Sequence, residues 1–136
     1  AAATADANGL EAELIEGDAF ETLEALVAER RRFDAVVVDP PAFIKRKKDH
    51  PKGLAAYRRI NQLAMQLLER DGLLMACSCS YHLGPGELVD AVQRATRHLD
   101  RFAQLVAVGA QSADHPVHPA IDETRYLRAF LFRVTA

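Results

Sequence analysis

Two adjacent prolines, Pro40 and Pro41, stand directly behind an apolar, β-branched run, Phe33-Asp34-Ala35-Val36-Val37-Val38, with a single carboxylate, Asp39, at the junction. A proline nitrogen carries no N–H, so two in succession end any hydrogen-bonded ladder. The run before them has the pattern of a central parallel strand buried on both faces. A chain built around it is an α/β sheet protein in which Asp39 lies at the carboxyl end of a strand, where open sheets of this kind bind ligands.

The flanking sequence supplies further elements. Ala1 to Ala7 reads as the last turns of a helix stopped by Asn8-Gly9. Ala12 to Glu16 reads as a short strand ending at Gly17-Asp18, and Phe20 to Arg31 as a helix with Leu23, Leu26 and Val27 on one face. Between Gly53 and Arg70, Leu54, Tyr57, Ile60, Ala64, Leu67 and Leu68 recur at helical spacing, with Gly72 as the stop. Leu73 to Cys79 is the next strand. Pro85 opens a helix that buries Leu88, Val92, Ala95 and Leu99, and Phe102–Val108 and Tyr126–Val134 are the last strands. This order predicts an open sheet with helices on both faces, at a size (136 residues) suited to one globular domain or part of one.

Charge and cysteine usage narrow the function classes. A formal net charge of -2 argues against wholesale electrostatic binding to nucleic acid, although the run Lys45-Arg46-Lys47-Lys48 with Lys52 forms a local basic patch. Apolar runs are too short for a membrane-spanning helix, and no secretory leader is visible, which predicts a cytoplasmic protein. Cys77 and Cys79 are the only cysteines, two apart on one strand and facing the same way. Their Cα separation is wrong for a disulfide, and no second pair completes a metal site. Cys77 reads as a small packed residue, while Cys79, at the strand end beside Asp39, reads equally as a nucleophile. The His115 and His118 pair is interrupted by prolines, which fits loop shaping better than metal binding. Asp39-Pro40-Pro41-Ala42-Phe43 can clamp a planar base by its amino edge, or can simply end a strand with a solvated carboxylate.

Taken together, Asn8-Gly9-Leu10, Glu16-Gly17-Asp18-Ala19-Phe20, Asp39-Pro40-Pro41-Ala42-Phe43, Asn61-Gln62-Leu63-Ala64, Cys77-Ser78-Cys79-Ser80, Asp114-His115-Pro116-Val117 and Glu123-Thr124-Arg125-Tyr126-Leu127 resemble, in order and spacing, the class I S-adenosylmethionine-dependent methyltransferases. Within them, the chain is similar to the family that methylates cytosine C5 in large-subunit ribosomal RNA. The resemblance implies a Rossmann-like sheet, S-adenosyl-L-methionine as cofactor and ribosomal RNA as partner. It implies that Asp18, Ala19 and Phe20 hold the adenine end, that Asp39 and Pro40 face both cofactor and target base, and that Cys79 is the catalytic thiol with Asp39 in support. Pro40, Pro41, Phe43, Lys45, Arg46 and Lys47 would meet the RNA. A thiol suits the chemistry because cytosine C5 is a poor carbon nucleophile until a thiolate has added at C6.

The family's Gly-rich first turn has no counterpart, since the seven glycines are scattered. Residues 1–136 are therefore expected to be the C-terminal portion of one methyltransferase domain, an incomplete sheet lacking its first strands and ending in an antiparallel strand pair, with little turnover alone. The bare edge of Phe33–Val38 is expected to pair with a second copy, and Val37→Asp to destabilise by burying a charge. Two other functions fit the residues: exocyclic amine methylation on nucleic acid, which uses a similar turn but prefers an aromatic residue where Ala42 stands, and a non-catalytic RNA-binding or assembly role.

Overall fold

Capping chemistry sets several helix boundaries. In the computed structural model, which describes residues 2–136, α1 spans Ala2–Ala7, α2 Ala19–Ala28, β1 Phe33–Val38, α3 His50–Gln66, β2 Leu68–Ser78, α4 Pro85–His98, β3 Phe102–Gly109 and β4 Arg128–Thr135. Ala1 of the expected first helix lies outside the described residues. Gly9 adopts φ +64°, a conformation that favours glycine, and the Asn8 side-chain amide donates to the Thr4 carbonyl at 2.8 Å, so α1 stops where the sequence places the stop. The α4 start is closed by the Glu87 carboxylate, which accepts from Gly84 N at 2.8 Å, with Pro85 in the first turn.

The four strands form one sheet in the order β1-β2-β4-β3. β1 and β2 are parallel, whereas β4 runs antiparallel to both of its neighbours, giving the expected C-terminal antiparallel pair. One face carries Val38, Leu74, Ala76, Phe130, Phe132 and Val134, all buried, against Tyr57, Ile60 and Ala64 of α3 and Leu88, Val92 and Ala95 of α4. α2 packs on α3, held in part by the Arg59–Glu24 ion pair at 2.8 Å.

The structure departs from the sequence reading at four places. The helices form a single layer on one face rather than two layers, and the opposite face, with Val37 64% exposed, is open among the described residues. β1 is accordingly an edge strand covered on one side only, and the expected penalty for a charge at Val37 disappears with its burial. Ala12–Glu16 joins no ladder and is exposed throughout, because an extended segment becomes a strand only when a neighbour accepts its backbone bonds. α3 ends at Gln66, not Arg70, and Leu68 already pairs with Phe33. The Arg101 guanidinium holds that reversal together by donating to the carbonyls of Met65 at 2.6 Å, Glu69 at 2.9 Å and Val134 at 3.2 Å. Leu67 and Leu68 keep helical spacing on paper, yet both are buried without the helix continuing, so Gly72 lies inside β2 and is not a helix stop.

Candidate active site

The Pro40-Pro41 turn does what its chemistry predicts: it ends β1 and carries the chain over the carboxyl edge of the sheet toward α3. The pairing of Val38 with Ala76 puts Asp39 and Pro40 beside the last residues of β2. There the Cys79 thiol lies 3.8 Å from the Pro40 carbonyl oxygen, in position to donate to it. Cys79 is half-buried, Cys77 is buried, and both are free thiols. Burial, and secondarily the Asp39 carboxylate, push the Cys77 thiol above its ordinary value, which fits the packed role.

A cavity of about 560 Å³ opens at this end of the sheet. Of the residues singled out in the sequence, Asp18, Ala19, Phe20, Asp39, Pro40, Pro41 and Phe43 line it, together with Ile15, Val36–Val38, Leu23 and Ile60. Cys79 does not line it; it adjoins through the Pro40 carbonyl. Asp18 sits not at a strand end but at the start of α2, where its Oδ1 accepts from Phe20 N at 2.9 Å and Glu21 N at 3.1 Å. Oδ2 is left for a donor in the cavity. The phenyl rings of Phe20 and Phe43 lie 6.0 Å apart, and Phe43 in turn meets Tyr57 edge-on at 4.9 Å. Apolar walls flanked by two carboxylates suit a planar, amino-bearing ring joined to a positive charge, so the residues present fit an adenosyl sulfonium.

Lys45, Arg46 and Lys47 follow the turn on the surface and are exposed. Arg46 is engaged with Asp49 at 2.9 Å, and its guanidinium holds that carboxyl below the usual range, so Lys45 and Lys47 are the freer cations of the three.

One group escaped the sequence reading. Tyr57 belongs to the apolar stripe of α3, but its hydroxyl is fully buried between two serines that flank Cys79. Ser78 Oγ donates to Tyr57 Oη at 2.9 Å, Tyr57 Oη and Ser80 Oγ are 2.8 Å apart, Ser80 N donates to Ser78 Oγ at 3.1 Å, and Ile44 N donates to Ser80 Oγ at 3.2 Å. The available signal was the residue type: a buried tyrosine must find a partner for its O–H. One turn on, Asn61 donates to the Tyr57 carbonyl at 2.8 Å while its Oδ1 finds no partner among the described residues.

An open sheet of this order, with a cavity at its carboxyl edge, defines a class: the fold is that of the Rossmann-like methyltransferases. It superimposes on a protein provisionally described as a methyltransferase and solved with S-adenosylhomocysteine (TM-score 0.77, 17% identity, 97% of this chain and 35% of that one) and on Trm5b of Pyrococcus abyssi (TM-score 0.64, 12% identity, 99% and 33%). In sequence it is 36% identical over 124 residues to ribosomal RNA large subunit methyltransferase I of Serratia proteamaculans, and 35% over 123 residues to that of Citrobacter koseri. A Methanocaldococcus jannaschii protein provisionally named for the same activity is 34% identical over 122 residues. These alignments cover 90% of the chain, which spans 31% of the length of each relative. No family model matches.

Proposed function

We propose that this chain carries the adenine-edge and base-side part of an S-adenosylmethionine-dependent RNA methyltransferase that acts on cytosine C5 of large-subunit ribosomal RNA, with Cys79 as its nucleophile. The observation that supports this most is the 3.8 Å approach of the Cys79 sulfur to the Pro40 carbonyl, which joins a thiol to the Asp39-Pro40 turn at the mouth of the cavity. The relatives' names agree with the substrate class.

In this reading Asp18 accepts the adenine amino group through Oδ2, Ala19 and Phe20 flank the ring, Phe43 meets the RNA, and Asp39 and Pro40 face both the reacting end of the cofactor and the target base. When bound, S-adenosylmethionine supplies a methyl group activated by its sulfonium. The Cys79 thiolate adds to C6 of the target cytosine and so raises electron density at C5, the carbon to be methylated; loss of the C5 proton to a base then breaks the S–C6 bond, releases the thiolate and restores the ring. Asp39 supports the ring by accepting from its amino edge or from a protonated N3. Pro41, Lys45, Arg46 and Lys47 lie where the RNA enters, the cations contacting its phosphates. The two free thiols suit a reducing, cytoplasmic setting. The edge of β1, unpaired among the described residues, is the surface through which two copies would join.

The decisive test is incubation with S-adenosylmethionine and RNA in which the target C5 carries fluorine, which blocks release of the thiol. A covalent adduct, slow to form because residues 1–136 have no Gly-rich cofactor turn, is expected with Cys79 in place and none with Cys79→Ala. Methyl transfer without an adduct that survives Cys79→Ala would overturn the cytosine C5 reading in favour of amine methylation, and an adduct that survives it would move the nucleophile to another residue.

A further inference from the structure

We infer that Tyr57 is a positioning residue: its hydroxyl holds the Cys79 segment directly after β2 and the loop after Pro41 in one geometry, so that the thiol meets the Asp39-Pro40 turn. The inference rests on the reading of Cys79 as the nucleophile for its functional meaning, but its structural content stands on contacts of its own.

Two segments distant in sequence from Tyr57 meet around this hydroxyl, one bonded to it directly and one through Ser80. Ser78 and Ser80, the residues on either side of Cys79, both turn inward to Tyr57 Oη, at 2.9 and 2.8 Å. Ser80 Oγ also accepts the Ile44 amide at 3.2 Å, which ties the loop following Pro41 to the same point. The inward turn of both serines leaves the thiol between them to face Pro40. The ring adds a second hold, since Phe43 of that loop packs edge-on against it at 4.9 Å and reaches Phe20 of the cavity wall at 6.0 Å. Tyr57 and Ser80 are fully buried, so no water replaces these bonds when one is removed. Ser78 donates to Tyr57, Tyr57 and Ser80 share a hydroxyl–hydroxyl bond, and each serine oxygen also accepts one backbone amide. A phenylalanine would pack against Phe43 equally well. The hydroxyl is therefore needed for what it joins.

The test uses Tyr57→Phe, which keeps the ring, in a Cys77→Ala background so that Cys79 is the sole thiol. Hydrogen exchange of the Ile44 amide is expected to quicken at least tenfold, and alkylation of Cys79 by iodoacetamide at a fixed pH at least threefold, while exchange in the centre of β2 and β4 is unchanged. Leu88→Ala, a core change away from the site, should lower the melting temperature without either local effect. Should Tyr57→Phe not fold, Ser80→Ala removes the acceptor of the Ile44 amide without touching the ring, and the same two readouts apply. Unchanged exchange and alkylation in the folded variant, or acceleration spread evenly over the sheet, would overturn the inference. A native chain that shows the tyrosine-dependent alkylation yet forms no adduct with the fluorinated RNA would instead sink the nucleophile role and leave the positioning intact.

Discussion

Asp18 shows how one side chain serves the fold and the site together. Its Oδ1 caps α2 while Oδ2 is left for the cavity, so the two duties separate by substitution. Asparagine caps a helix as well as aspartate does, but an amide lacks the charge and presents N–H to an amino group. Asp18→Asn is expected to leave the melting temperature nearly unchanged and to weaken S-adenosylmethionine binding about tenfold, roughly 1.4 kcal/mol, by calorimetric titration. Equal affinity would remove Asp18 from the adenine contact. Cys77 gives a prediction in pH. Because burial raises its thiol above the ordinary value, folding favours the neutral form; that contribution is full below the unfolded range, near pH ~8.5, and fades as pH climbs through the folded value. Between pH 8 and 10 the native chain should lose more thermal stability than Cys77→Ala, and parallel curves for the two would refute the assignment. At this scale the sequence was legible wherever chemistry is local, as at Asp39, Pro40 and Asn8-Gly9. It was mute on Tyr57, whose partners lie 21 and 23 residues away.

Among the elements, α3 shows where periodicity misleads. Its first turn is set by contact rather than by pattern: a Cβ on Gly53 would overlap the Ile44 side chain and come within 2.9 Å of the Phe43 carbonyl. Gly53→Ala, favourable by helix propensity alone, is therefore expected to destabilise by about 1–3 kcal/mol, the cost of overpacking a closed contact. Urea denaturation decides the sign, and a gain in stability would mean that the loop after Pro41 yields freely. The far end of α3 was read four residues too long because Leu67 and Leu68 are apolar in either conformation, and only the pairing of Leu68 with Phe33 and the Arg101 bonds distinguish them. β1 carries the opposite lesson. Its valines predicted burial on both faces, but Val37 is 64% exposed, so Val37→Asp should shift stability by no more than about 0.5 kcal/mol, whereas Leu74→Ala, fully buried, should cost about 2–5 kcal/mol. A large loss from Val37→Asp would show that the open face is covered in solution.

For the whole molecule, the sheet ends at β1 on one side and β3 on the other, and one face carries all three packed helices. Light scattering across a concentration series tests the proposed pairing of two β1 edges: a rising mass is expected, and a constant monomer mass would dismiss it. RNA binding through the exposed lysines should weaken steeply with salt, and Lys45→Ala with Lys47→Ala should flatten that dependence by about two units of slope. No helix among the described residues is long and apolar enough to cross a membrane. The α/β class, the strand terminus at Asp39, most helix starts and the grouping of Asp18, Phe20 and Asp39 around a cavity were all readable from the sequence. The first three follow from local rules, namely period, capping and the missing amide of proline, whereas the grouping at the cavity came with the family resemblance. The tertiary structure alone decided that Ala12–Glu16 is no strand, that one face of the sheet is open among the described residues and that Tyr57 binds the serines flanking Cys79; the edge position of β1 was already expected from the missing first strands. Those features depend on which backbone or side-chain group arrives from elsewhere in the chain, and a hydrogen-bonding partner supplied at long range leaves no periodic trace in the segment that receives it.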